Sequence, residues 1–547
     1  MNIVKKGGKW ADEFRNKCRE DPSSFEKPTP GRKVKNFTSD VITMKILHKD
    51  LKMKEVLCTR DLFGRLLYVA SQNKLDLKEV LSHPLTEVTL SLAHIDGTMN
   101  KTEKSTLMRR LESKSKDQAQ PDKPDVHLVD FMYFLHTLPD LPPTYGDVAK
   151  VILKCACALG KTIHLISDTY SDQPSIKDLE RDNRGGNTLD YSINGHNQRR
   201  PADFRRALLS SAFKSSLLAF PAEEWATERY KEILTGKSVY FALEKVCYKY
   251  HVENNNMTRL PVKELNCFHQ EADTRIIFHV RFVTEQNANS KIVVRSSDTD
   301  VFVLLLHFAK PVGGHIWMDA GSSARNTRRN IDITSLADIL GPLVCSALPA
   351  FHIFTGSDYA AGFMRKGKLR PYDLMTKSEH FLNAFSKIGC SNVVDPEVYS
   401  VLEKFVCSMY GQTKCHEVNV ARFAIFTKMY ASKNVEKPLK TIKSSDPCCI
   451  PPCSKVLLQK VNRCNYVTLL YKNATLPTPI NFSPEGHGWV IDKDGQLRIL
   501  WYDGPKYPSV FKQNMIIDSE SDDDEDQAYA SSSGDETDDI TDDTLWC

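Results

Sequence analysis

KIVVRSSDTD, residues 291–300, joins a short β-branched run to two acids placed two residues apart. A nearly continuous apolar run of this length predicts a strand buried on both faces, as in parallel sheets. Side chains at i and i+2 of an extended chain point the same way, so Asp298 and Asp300 are expected to aim into one site at the strand's end. Three further runs have the same form: VHLVD (126–130), KTIHLISD (161–168) and AFHIFTGSD (350–358). They close on Asp130, Asp168 and Asp358, and more than twenty residues separate consecutive runs, which leaves room for helical crossovers. The pattern predicts an α/β fold with a Rossmann-like central parallel sheet and flanking helices. Open parallel sheets bind ligands at the carboxyl ends of their strands, where these acids are expected.

A second acidic pair, Glu271 and Asp273 in HQEADTRIIFHV, immediately precedes a helical pattern. In a regular helix i and i+2 diverge, so the two converge only at or before the first turn. A single acid after a strand is commonly a turn former or helix N-cap, but capping does not ask for an acid at every strand end. Seven carboxylates gathered without compensating Lys or Arg repel one another unless divalent cations neutralise them. Hard oxygen ligands suit Mg²⁺ or Mn²⁺, and two such ions about 4 Å apart would serve phosphodiester hydrolysis.

The chain has 547 residues, 41% hydrophobic and 26% charged, ordinary values for several folded domains. Its net charge of +4 is misleading: thirteen Asp and Glu and no Lys or Arg fall between Asp518 and Asp543, which leaves the preceding residues at +17. A basic body joined to an acidic tail suits a polyanionic partner. The division expected is a basic arm (1–40), a helical lead-in domain (41–113), a linker (114–125), a catalytic-type α/β domain (126–432) with an insertion (169–270), a small C-terminal domain (433–517) and a disordered acidic tail (518–547). The insertion is expected to be helical near Trp225 to Tyr250, and HGWV and LRILW are strand candidates. The longest apolar stretch, Val301–Ala309, is less than half a membrane span, and no secretory leader is evident, so a nuclear or cytoplasmic location is expected, the nucleus favoured. The fifteen cysteines are then expected to be reduced thiols.

EADT, SSDTD and TGSDY, in this order after VHLVD and HLISD, resemble the acidic motifs of the PIN-like, flap endonuclease/XPG-type 5′ nucleases. The lead-in and the LLQKVNRCNY and HGWV segments also resemble a group of mobile-element-associated animal proteins with the same core. The resemblance covers roughly residues 126–377. It implies a PIN-like nuclease whose metal ligands and catalytic acids are Asp130, Asp168, Glu271, Asp273, Asp298, Asp300 and Asp358. The alternative is a catalytically inactive PIN-like binding or scaffold protein. AHIDGTM offers Asp96 as a rival to Asp130, and AAGFMRKGKLR lacks the Gly-x-Gly hairpin with which family members hold duplex DNA.

Lys177, Arg181 and Arg184 are spaced for one helical face just past the second strand, and Arg199, Arg200, Arg205 and Arg206 form another basic group in the insertion. With Lys366 and Lys368 after Asp358, they are the expected contacts to DNA or RNA phosphates.

Overall fold

The computed structural model describes residues 76–94, 97–115, 121–138, 141–170, 175–177, 192–322, 326–430, 447–493 and 495–509. The basic arm, the first part of the lead-in, Asp96, Arg181, Arg184 and the acidic tail lie outside the described residues. Eight strands form the central sheet: β1 (Val126–Asp130), β2 (Thr162–Ile166), β3 (Ser238–Leu243), β4 (Val246–Glu253), β5 (Asn256–Pro261), β6 (Lys291–Arg295), β7 (His315–Ala320) and β8 (Arg329–Asp332). Their order is β5-β4-β3-β2-β1-β6-β7-β8. The central five, from β3 through β7, pair in parallel, while β4, β5 and β8 join through antiparallel pairings.

From β1 the chain builds outward to β2 and β3 on one side, then returns to β6 and β7 on the other. Connections therefore leave the carboxyl ends of β1 and β6 in opposite directions and open a crevice between them. The register sets Val129 of β1 against Arg295 of β6 and Asp130 against Ile166 of β2, so Asp130 stands at that mouth.

The period-2 alternation of strands divides the sheet's side chains between two cores. Leu128, Ile292 and Val294 face one core; Val129, Ile163, Leu165, Val239 and Phe241 face the other. The first core is covered by α5 (Ala272–Gln286), α6 (Thr299–Val312) and α8 (Pro342–Phe354), and the second by α3 (Tyr145–Cys157) and α4 (Ser211–Glu224). Both faces are thus dry, which explains why the central strands read as unbroken apolar runs. The short α1 (Ser105–Glu112) and α2 (Phe131–Thr137) precede and follow β1, and α7 (Ile333–Leu340) precedes α8. The expected helical stretch after Asp358 is present as α9 (Leu369–Thr376), α10 (Glu379–Lys387), α11 (Pro396–Met409) and α12 (Val418–Tyr430).

Several expectations are corrected. AFHIFTGSD is not a strand: Ala350–Phe354 is the last part of α8, so only three of the four acid-closed runs are strands and Asp358 follows a helix. A short apolar run fits a buried helix as well as a buried strand. The wider sequence, with Pro342 at the first helical position and Gly341 at φ +81 ending α7, settles this one as a helix. Residues 225–250 are helical only in the short turns Glu228–Tyr230 and Lys231–Leu234, because α4 ends at Glu224 and the aromatic and β-branched residues beyond Gly236 form β3 and β4. The latter part of the insertion therefore widens the sheet.

The described parts of the lead-in and C-terminal regions pack into the shared core, apart from a small separate cluster in which Val80, Leu81 and Leu85 meet Phe426 and Ile450. Leu107, Met108 and Leu111 of α1 share the core of Leu128 and Leu304, and so do Val461, Cys464 and Tyr471 of α13 (Ser454–Lys472). HGWV and LRILW do form the expected strands, β9 (Trp489–Ile491) and β10 (Leu497–Ile499), paired as a hairpin. No single described helix is long and apolar enough to cross a membrane. The twelve cysteines among the described residues are free thiols.

Candidate metal centre

Three helix N-termini meet at the crevice, and each is capped by one of the expected acids. Asp130 Oδ1 accepts from the Tyr133 N–H of α2 at 3.0 Å, and its Oδ2 accepts from the Ser296 hydroxyl at 3.3 Å. Asp298 Oδ1 accepts from the Asp300 N–H of α6 at 2.8 Å. Asp168, past the end of β2, reaches across to accept from Ala272 N–H, the first residue of α5, at 2.8 Å. Capping and site formation are thus compatible: the cap engages one oxygen, fixes the carboxylate's orientation, and adds the helix dipole to its stabilisation.

Glu271 is extended, at φ −118, and Asp273 lies in the first turn of α5. Both are buried, but they turn to different partners. Glu271 pairs with the ammonium of Lys177, which also lies 5.6 Å from the centre of the Tyr359 ring. Asp273 turns to Asp298 and Asp300, and one oxygen from each of these three acids lies within 4.8 Å of the others. Asp273 is 7% exposed, and its carboxylate has no hydrogen-bond or ion-pair partner among the described residues.

Asp300 is held differently. Its Oδ2 receives Lys104 Nζ at 2.6 Å, while its Oδ1 accepts from Tyr471 O–H at 2.9 Å and from His352 Nε2 at 3.0 Å. The same ammonium reaches Asp358 at 2.9 Å. Lys104 arrives here because Thr102 donates to the carbonyls of Thr355 and Gly356, pinning residues 100–104 against the TGSD turn. Gly356 sits at φ +118, and a Cβ there would come within 2.6 Å of Thr102 Oγ1, so only glycine permits the approach. The expected cluster without compensating cations is therefore corrected: Lys104 and Lys177 neutralise part of it.

What they leave is visible in the acidities. Burial, with Asp168 and Asp298 nearby, pushes Asp130 up to about 7. Burial and Asp300 push Asp298 up to about 6. Burial and Asp298 push Asp273 well above the carboxylate range. Asp300 goes the other way: burial opposes its charge, but the Lys104 ammonium and the His352 hydrogen bond hold it well below. His352 is itself driven down to about 4, chiefly by burial, so it is the neutral ring that donates. Asp130, Asp273 and Asp298 thus form the part of the cluster with excess negative charge. Their all-oxygen chemistry fits a hard divalent cation, and the Asp273, Asp298 and Asp300 group, with Asp273 and Asp300 buried and Asp298 half-buried, could hold a metal ion.

A cavity of about 370 Å³ opens over this cluster, lined by Asp130, Asp168, Glu271, Asp273, Asp298 and Asp358. Lys177, Arg205 and Lys214 line it as well, the last from α4, whose N-terminus also faces the cavity. The other expected phosphate contacts fare differently. Lys368 is corrected outright: it is 1% exposed and donates to His352 O at 2.7 Å and Thr355 Oγ1 at 3.0 Å, bracing the floor beneath Asp300. Arg200 is committed to the carbonyls of Leu141 and Pro142, and Lys366 lies 4.0 Å from the centre of the Tyr410 ring. Arg199 is exposed and pairs as a β-bridge with Thr144.

Sequence reasoning missed Lys104, His352, Tyr471 and Lys214. Lys104 and Asp300 are 196 positions apart, and NKTEKST carries no pattern that marks one lysine for the interior. Lys214 had a weak signal, a lone cation in the apolar SAFKSSLLAF helix.

No protein-family model matches the chain, and no curated protein matches it. The carboxylate geometry is left as the guide to function.

Proposed function

We propose that the protein is a nuclease that hydrolyses phosphodiester bonds in DNA or RNA with the help of Mg²⁺ or Mn²⁺. The observation that carries this reading is Asp273, a buried and unpartnered carboxylate within 4.8 Å of Asp298 and Asp300 at the crevice where the strand order reverses. Asp273 and Asp298 would hold the cation with Asp300 beside them. A divalent ion there would supply Lewis acidity toward a phosphoryl oxygen and favour ionisation of water.

The chain's own groups do the rest. Asp130 and Asp168, fixed by their caps, keep the mouth anionic and oriented. Lys177, Arg205 and Lys214 hold the phosphate against this negative floor. Lys104 bridges Asp300 and Asp358, supplying a fixed positive charge within the cluster. The centre is therefore read as one ion plus an ammonium. The order of the acids agrees with the PIN-like resemblance, which supports the same reaction class.

Labelled single-stranded, duplex and flap substrates incubated with Mn²⁺ or Mg²⁺ test the proposal. Cleavage by wild type that is lost in Asp273→Asn is the expected result. Equal behaviour of the two proteins overturns it. One feature favours the rival, a non-catalytic binding protein: Lys104 and Lys177 already pair with three of the acids and offset two of their charges. That protein would bind the same substrates equally well with and without divalent ions and leave them intact.

A further inference from the structure

A second cavity, of about 520 Å³, shares a wall with the carboxylate cavity. Glu271 lines both, and the chain neighbours Ile176 with Lys177, and Tyr359 with Asp358, are divided between them. The two cavities differ in chemistry. The first is lined by acids and cations; the second is walled by Phe268, Tyr359, Tyr466 and Phe482, and Glu271 is its one charged lining residue. Pro479–Pro484 and the β9–β10 hairpin close its far side.

The aromatic wall is braced for stacking. Tyr466 packs against Phe482 at 5.5 Å and Trp489 at 5.5 Å, and His487 packs against Phe482 at 5.0 Å. Phe268 is 61% exposed, unusual for so large an apolar side chain, and Lys245 Nζ lies 5.1 Å from its ring centre. Asn481, on the same rim, offers an amide donor and acceptor. Without lining cations the cavity does not suit a phosphate, whereas a flat heteroaromatic ring can stack on Phe or Tyr and meet an amide with its polar edge.

We infer that this cavity receives one unstacked nucleobase of the strand whose phosphate lies at the carboxylate centre, making the enzyme a reader of single-stranded or locally unpaired nucleic acid. The inference rests on the proposed nuclease reading for its choice of ligand. It gives the C-terminal segment a role: its wall turns a phosphate site into one that also grips a base.

The test uses the full chain in EDTA, with fluorescein-labelled single-stranded DNA and RNA oligonucleotides carrying one abasic site moved position by position. Phe268→Ala is the principal variant, because an exposed ring contributes little to folding; Phe482→Ala is the second. The expected result is that wild-type affinity falls at least about fivefold when the abasic site occupies one register. Phe268→Ala should weaken the intact oligonucleotide similarly and be insensitive to the abasic site. A flat abasic series together with unchanged affinity of Phe268→Ala overturns the inference, and cleavage by wild type in Mn²⁺ would then leave the nuclease reading standing. A register-specific abasic effect without cleavage in Mn²⁺ supports the base site and overturns the nuclease reading instead.

Discussion

Replacing Asp298 by Asn should make the protein more stable in the absence of divalent ions, although the residue is central to the site. Asp298 titrates at about 6 rather than 3.8, because burial and Asp300 disfavour its charge. An acid whose folded pKa is raised favours the fold while it is protonated, and this advantage is lost as pH rises from the unfolded value through the folded one. The window runs from 3.8 to about 6. Above it the ionised group costs the folded state about 3 kcal/mol relative to a neutral one. Asn keeps an oxygen to accept the Asp300 N–H, so the cap of α6 survives while the charge goes. For a chain of this size the gain corresponds to a rise in Tm of roughly 3 °C. Differential scanning calorimetry in EDTA at about pH 8 should show it, and it should vanish near pH 4. Adding Mn²⁺ at about a hundred times its Kd should stabilise wild type by about 2.7 kcal/mol and the variant little, closing the gap. A variant that melts below wild type in EDTA, or a gap that Mn²⁺ does not close, would refute the reasoning.

Lys104→Met should destabilise the fold by roughly 3 to 5 kcal/mol in urea titration, since it leaves Asp300 buried without a counter-charge, and Lys104→Met/Asp300→Asn should recover much of the loss. Arg205→Ala and Lys214→Ala should each weaken single-stranded binding and lower the slope of log affinity against log salt by roughly 0.7, measured by fluorescence anisotropy. Lys368→Met should leave that slope unchanged but lower stability, because Nζ braces carbonyl and hydroxyl groups inside the protein. Deleting Asp518–Cys547 should tighten binding at low salt, and the difference should disappear as salt is raised; equal affinities at low salt would remove the tail as a competitor.

Much of the fold could be read where pattern and burial agree. VHLVD, TIHLI and KIVVR are strands because they are apolar on both faces and the sheet is covered on both. AFHIF misled because a helix buried on every side carries the same composition as a buried strand. The acids were visible because strand ends and helix starts are local features. Their counter-charges were not, since Lys104, His352 and Tyr471 converge on Asp300 from three distant elements and only the folded chain brings them together. Lys368 shows the converse: a lysine beside a site motif looks like a phosphate ligand until packing reveals that it points into the protein.

We propose that the excess charge of Asp273 and Asp298 binds a hard divalent cation, with Lys104 standing in for a second. Anomalous diffraction from crystals soaked in Mn²⁺ measures this directly. One peak bonded to oxygens of Asp273 and Asp298, with Lys104 still between Asp300 and Asp358, is the expected result. The absence of a peak at these acids contradicts the metal centre, and a second peak that displaces Lys104 contradicts the single-ion reading.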